Sequence, residues 1–142
     1  IILKNNPEEF FWFEPKAHYT TTYYNRSFGS GYEGSLFMDI ENTAPVSWYM
    51  TYMSGDDHIV KVDTEMPNGR RLCIIKDSYG NALPPYLFGS FEEVHVADCR
   101  YFTPNVVDYV RQNGITDVLF ANNLIHASMP KTVQSYMKYL EQ

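Results

Sequence analysis

Leu72-Cys73-Ile74-Ile75 is a continuous apolar run that stops at Lys76-Asp77-Ser78. An unbroken run of this kind marks a strand covered on both faces. Downstream, Val94-His95-Val96-Ala97 reads as a second strand and Asp117-Val118-Leu119-Phe120-Ala121 as a third. The segment from Pro104 to Asn113 carries a helix signature, with Thr103 as N-cap, Pro104 at the first helical position and Gly114 as C-cap. A short helical stretch ending near Phe88 follows the first strand despite Pro84 and Pro85, and Lys131 to Leu140 forms a last helix with Ser128 near its start. Strands alternating with helices define an α/β arrangement, and right-handed crossovers then make the strands parallel.

Upstream of Arg71 the period is two. Ala17-His18-Tyr19-Thr20-Thr21-Thr22-Tyr23-Tyr24 is β-branched and aromatic, and Asn25 to Gly31 follows as a loop. Ile59-Val60-Lys61-Val62-Asp63 alternates, with Val60 and Val62 on one face and Lys61 and Asp63 on the other, before a turn at Met66-Pro67-Asn68-Gly69. Ser47 to Met53 reads as a short strand or irregular cover. The expected fold class is therefore α/β, with a parallel sheet in residues 71–142 preceded by a β-rich, aromatic-rich portion in residues 1–70. The first portion has too little regular apolar patterning to close a core alone, so both belong to one domain, or part of one. No internal repeat interrupts them.

Composition narrows the function classes. A chain of 142 residues with 44% hydrophobic and 20% charged residues is globular rather than disordered. Aromatic residues reach 16%, with 12 Tyr and 9 Phe, which weights the first half toward β structure. A net charge of −6, with no basic run longer than Arg70-Arg71, excludes electrostatic wrapping of nucleic acid. No apolar run approaches the ~20 residues that span a bilayer. The sequence opens on Ile1-Ile2-Leu3, without Met and without a charged-then-apolar leader, which sets the expectation that a segment precedes it. Cys73 and Cys99 cannot make a zinc site between them. Parallel strands would hold them ~15 Å apart, beyond the ~7 Å a disulfide tolerates. Two free thiols are expected.

In an open parallel sheet, ligands bind beyond the carboxyl ends of the strands. Three polar clusters fall there: Asp77-Ser78-Tyr79-Gly80-Asn81 after the first strand, Asp98 and Arg100 after the second, and Asn122-Asn123 after the third. Ser78 at the strand-to-helix turn can present its hydroxyl to the crevice while its own N–H and that of Tyr79 face a developing oxyanion. Gly80, Asn81 or one of Asn122 and Asn123 can add donors. The plainer readings are that Ser78 caps a helix and that the asparagines are turn residues. A serine also needs a base. Of His18, His58, His95 and His126, His95 reads as a packed strand residue, His58 as part of a solvated turn after Asp56-Asp57, and His126 lies in the right loop but lacks an evident carboxylate partner in sequence. Asn25-Arg26-Ser27 fits a glycosylation pattern that is common by chance.

The segments Leu72 to Leu87, Glu92 to Phe102 and Gly114 to Phe120, together with Tyr32-Glu33-Gly34-Ser35-Leu36-Phe37 and Tyr52-Met53-Ser54-Gly55-Asp56, resemble the carboxyl-terminal part of the bacterial DHHW protein family. That family is similar to SGNH hydrolases and alginate acetyltransferase-like proteins. The resemblance implies a flavodoxin-like α/β/α sheet and an acyl-transfer function, as a carbohydrate O-acetyltransferase or esterase, in a secreted or surface-anchored protein acting on envelope polysaccharide. It implies Ser78 as the nucleophile, with Lys76 where the hydrolases have glycine, and Asn122 or Asn123 as the oxyanion asparagine. Asp77, Gly80, Asn81 and Asp98 are the other candidates around it. In the relatives the activating Asp and His come from an upstream Asp-His-His-Trp element, which this chain does not contain. The chain alone is then expected to be catalytically silent or nearly so. No metal or organic cofactor is required. The rival expectation is a non-catalytic module that binds glycan or another envelope component through Trp12, Tyr19, Tyr23 and Trp48.

Overall fold

A computed structural model describes residues 9–25, 30–54 and 58–141. The sequon at Asn25-Arg26-Ser27, the opening Ile1-Ile2-Leu3 and the acidic pair Asp56-Asp57 lie wholly or partly outside these residues. The strands are β1 (Tyr19–Asn25), β2 (Tyr32–Glu33), β3 (His58–Thr64), β4 (Arg71–Lys76), β5 (Glu93–Asp98) and β6 (Asp117–Ala121). The α-helices are α1 (Val106–Gln112), α2 (Leu124–Ser128) and α3 (Pro130–Glu141), and 3-10 segments occupy Pro45–Thr51, Ser78–Gly80 and Pro84–Leu87.

One six-stranded sheet runs in the order β2-β1-β3-β5-β4-β6. On one side β4 pairs in parallel with both β5 and β6, with Ile74 opposite Val96 and Leu119. On the other side β3 pairs antiparallel with β5 and β1 pairs antiparallel with β3. The expectation of a flavodoxin-like parallel sheet preceded by a separate β-rich portion is therefore corrected. The sheet is mixed, and strands from residues 1–70 are integral to it.

The physical reason is in β3. Its alternation sends Val60 and Val62 to one face, and both are fully buried in a cluster with Leu72, Ile74, Val94 and Val96. Strands from the two halves thus share one apolar layer, closed over by Leu36, Met53, Phe88 and Phe91. The opposite layer joins Ile59, Cys73, Ile75 and Ala97 to Val106 and Tyr109 of α1. Burial on both sides explains why β4 reads as continuous apolar sequence. The run in β6 is similar in sequence, yet Val118, Leu119 and Phe120 stay exposed, because at this end of the sheet the described residues leave both faces largely uncovered.

Local signals place the helices with small shifts from expectation. The first helix starts at Val106 rather than Pro104, because Asn105 is the N-cap and its side chain accepts from the Asp108 N–H at 3.0 Å. Gly114 adopts φ +61° just past the end, the left-handed stop that glycine permits. Ser47 to Met53 is mostly 3-10 helix rather than strand. Helix α2 was not anticipated as an element of its own. Cys73 and Cys99 are buried free thiols, and burial pushes the Cys73 thiol up to about 12.

Candidate functional site

Three chain segments leave the carboxyl ends of β4, β5 and β6 and meet around a hollow of about 390 Å³. Its polar wall comprises Asp77, Ser78, Arg100, Asn123 and His126, and Tyr79, Ile125 and Met129 supply the apolar wall. Serine 78 is half-buried at the start of the 3-10 turn that follows β4. Among the described residues, neither its hydroxyl nor its N–H has a hydrogen-bond partner.

Asp77 organises the site. As cap of the turn, its Oδ1 accepts the Tyr79 N–H at 3.0 Å. Its Oδ2 accepts the Asn123 N–H at 2.9 Å and lies 2.9 Å from His126 Nδ1. Burial pushes this carboxyl upward, but the bonds from Asn123, His126 and Tyr79 together outweigh that and hold it below the usual carboxylate range. An ionised carboxylate only accepts, so His126 Nδ1 carries the proton and, in the neutral ring, Nε2 bears the lone pair. Histidine 126, unassigned a partner in the sequence reading, thus has one supplied from another strand end.

The asparagines separate. Asn123 lines the hollow and caps α2, its Oδ1 accepting the Ile125 N–H at 2.7 Å. That leaves its Nδ2 without a partner among the described residues. Asn122 faces the other way: its Oδ1 accepts the Tyr136 hydroxyl at 2.5 Å, and its Nδ2 lies 3.7 Å from Cys99 Sγ. The Gly80 and Asn81 amides are taken, the first donating to Asp77 O at 2.9 Å and the second to Ser78 O at 3.3 Å. The Tyr79 N–H is taken by Asp77 in the same way. The donors expected at Tyr79, Gly80 and Asn81 are thus engaged by the tight 3-10 turn and its Asp77 cap, and Asn122 is turned away toward Cys99 and Tyr136.

Asp98 is not in the hollow but beneath it. It is wholly buried, binds Lys76 Nζ at 2.9 Å, and grips Arg100 through Nε at 2.8 Å and Nη2 at 2.6 Å. Burial pushes the Asp98 carboxyl up, and Arg100 and Lys76 more than reverse that, leaving it below the ordinary value. Arg100 is thereby fixed on the wall beside Ser78. His95 is buried, with Nδ1 2.5 Å from the Tyr109 hydroxyl and Nε2 3.0 Å from Glu93 Oε2. It is a packed residue of the strand. Among the described residues no group of three or more His, Cys, Asp or Glu could hold a metal ion.

Of the aromatic candidates, Tyr23 is buried with its hydroxyl donating to Ser35 O, and Tyr19 is half-buried with its ring centroid 5.0 Å from that of Phe88. Both are framework. Trp12 and Trp48 instead flank Phe10 in a separate hollow of about 450 Å³ that offers no serine or histidine.

The sequence signature of the DHHW protein family matches residues 1–97. The chain belongs to the DHHW family. A solved DHHW family protein from Eubacterium siraeum is 39% identical to it, with a TM-score of 0.86 over 99% of this chain and 46% of that one. Bacillus cereus PatB1 superposes with a TM-score of 0.59 at 25% identity, over 73% of this chain and 35% of that one. PatB1 with a sulfonyl adduct superposes with a TM-score of 0.63 at 23% identity, over 79% of this chain and 40% of that one. No curated protein matches the chain. This DHHW protein therefore spans less than half the length of the solved relatives it resembles.

Proposed function

We propose that this chain is the serine-bearing, carboxyl-terminal part of an SGNH-like acyl-transfer protein, a carbohydrate O-acetyltransferase or esterase working on envelope polysaccharide at the cell surface. One placement carries the reading: Ser78 stands on the wall of a hollow at the carboxyl ends of parallel strands, with hydroxyl and N–H both unengaged among the described residues. In this scheme Ser78 Oγ attacks the acyl carbon. The oxyanion takes hydrogen bonds from the Ser78 N–H and Asn123 Nδ2, donors already held in place by the turn and the α2 cap. Tyr79, Ile125 and Met129 give the acyl group an apolar wall. No metal or organic cofactor enters the scheme. The sulfonyl adduct described for PatB1 belongs to that protein and lends support only through the shared fold.

Turnover of an aryl acetate by the protein at its natural full length tests the reading. Ser78→Ala is expected to abolish it, and undiminished turnover would remove Ser78 from the mechanism. A second reading, a glycan-binding module, draws on the Phe10, Trp12 and Trp48 hollow, since aromatic faces stack on sugar rings. Glycan binding that persists in Ser78→Ala and disappears in Trp12→Ala would favour it.

A further inference from the structure

The hollow walled by Phe10, Trp12 and Trp48 stands apart from the serine, and its lining has a chemistry of its own. We infer that it binds the protonated amino sugar of a cationic glycan, a glucosamine unit. The inference rests on the glycan reading of this hollow and adds to it the charge of the ligand.

Size and lining come first. At about 450 Å³ the hollow falls in the range of small-molecule sites. Phe10 sits between the two indoles, its ring centroid 6.1 Å from that of Trp12 and 5.7 Å from that of Trp48. The rings are tilted by 34° and 45° rather than stacked flat, so they curve round the space they line. Trp12 is anchored by its Nε1–H, which donates to Glu14 Oε1 at 3.2 Å. The face of an aromatic ring is electronegative, so rings gathered round a hollow attract an organic ammonium while covering its C–H surface.

The rim has the matching sign. Glu9 and Glu41 border the hollow, and an adjoining one of about 310 Å³ shares Trp12, Ile40 and Glu41 with it and adds Glu14 and Asp39. No Lys, Arg or His lines either hollow among the described residues. A neutral sugar would use the rings and leave the acidic side chains idle, and an anionic glycan would be repelled by them. A bare ammonium would leave most of the volume unfilled. An amino sugar uses both features, its ring against the aromatic faces and its ammonium against the carboxylates.

Position links this hollow to the serine. Trp48 belongs to the 3-10 segment Pro45–Thr51, and the next residue, Tyr49, donates its hydroxyl to Tyr79 O at 2.9 Å. Tyr79 lines the hollow that holds Ser78. One short segment therefore walls the aromatic hollow and buttresses the serine turn.

Isothermal titration of the natural full-length protein with a chitosan pentamer tests the inference, with the chitin pentamer as the neutral N-acetylated counterpart and choline as the bare cation. The chitosan pentamer is expected to bind ~10-fold or more tighter than either, the size of one desolvated cation–π contact. Trp48→Ala should weaken it by a similar factor. So should Trp12→Ala, whose ring is the more exposed and the safer to remove. Glu41→Gln should narrow the gap between the charged and neutral pentamers. Equal binding of the two pentamers, choline binding as tight as the chitosan pentamer, or an affinity that Trp12→Ala and Glu41→Gln leave intact overturns the inference. Absence of any binding at millimolar pentamer overturns the glycan reading of the hollow with it. Dependence of aryl acetate turnover on Ser78 is a separate readout, so the acyl-transfer reading stands or falls independently of these results.

Discussion

Lys76 Nζ and Asp98 Oδ2 meet at 2.9 Å with both side chains sealed from solvent. The parallel register of β4 and β5 sets these two residues opposite each other at the strand ends. Arg100 closes on the same carboxylate from the solvent side, so one buried anion is shared by a buried and a half-exposed cation. Removing the anion should therefore hurt more than removing either cation. Asp98→Ala is expected to destabilise by about 3–5 kcal/mol, the range for leaving a buried charge uncompensated. Lys76→Met should lose distinctly less, because Arg100 still satisfies Asp98. Denaturant midpoints of the two variants measure the order, and an Asp98→Ala variant as stable as Lys76→Met would refute this account.

Gly80 lies against the same lysine. A methyl group at this position would come within 2.6 Å of Lys76 Cβ and 2.9 Å of Ala121 O. The first is the rigid root of a buried side chain and the second is strand backbone, so neither can yield cheaply. Gly80→Ala is expected to cost about 1–3 kcal/mol and to disturb the turn that carries Ser78. Thermal denaturation reads the first effect.

Acid should unfold the protein through two carboxylates near the site. Asp77 and Asp98 are each pushed up by burial and more strongly down by their partners, so both titrate below their unfolded value. A depressed folded value means the stabilisation is complete above the unfolded value of about 3.9 and is lost as pH falls through the folded values. The urea midpoint is expected to decline steeply below about pH 4. In Asp98→Asn, which lacks one of these carboxylates, that decline should be shallower. An equal acid slope in parent and variant would exclude Asp98 as a contributor.

His95 bonds Tyr109 on one nitrogen and Glu93 on the other, inside the layer that α1 covers. Tyr109→Phe keeps the ring packing but strips the partner of Nδ1. A loss of about 1–3 kcal/mol is expected, as for a buried polar atom left unsatisfied. Urea denaturation of the variant measures it, and a change below half that range would mean water reaches the imidazole.

Much of the site could be read in the chain. Apolar runs ending abruptly at Lys76, Asp98 and Ala121 locate three strand ends, and the polar residues just beyond them converge as the strand-end rule requires. The partnership of Asp77 and His126 could not be read, because the two are 49 positions apart and their bond depends on how β6 is registered beside β4. Nor could the choice between Asn122 and Asn123. Adjacent residues after a strand point in different directions, and only the start of α2 decides which one faces the hollow.

Local chemistry located the apolar strands β3 to β6 to within a residue or two, placed the stop of α1 at Gly114, and put Ser78 at a turn, since each depends on residues a few positions apart; it misplaced the α1 cap by two residues. Which strands are neighbours was a choice for the folded chain. Burial of Val60 and Val62 beside Val94 and Val96 draws β3 antiparallel against β5 and makes the sheet mixed. Apolar burial is nondirectional, so a hydrophobic pattern says that a face must be covered and leaves open by what. Only the packed chain, with its hydrogen bonds committed, determined which amides near Ser78 are spent within the turn and which histidine meets Asp77.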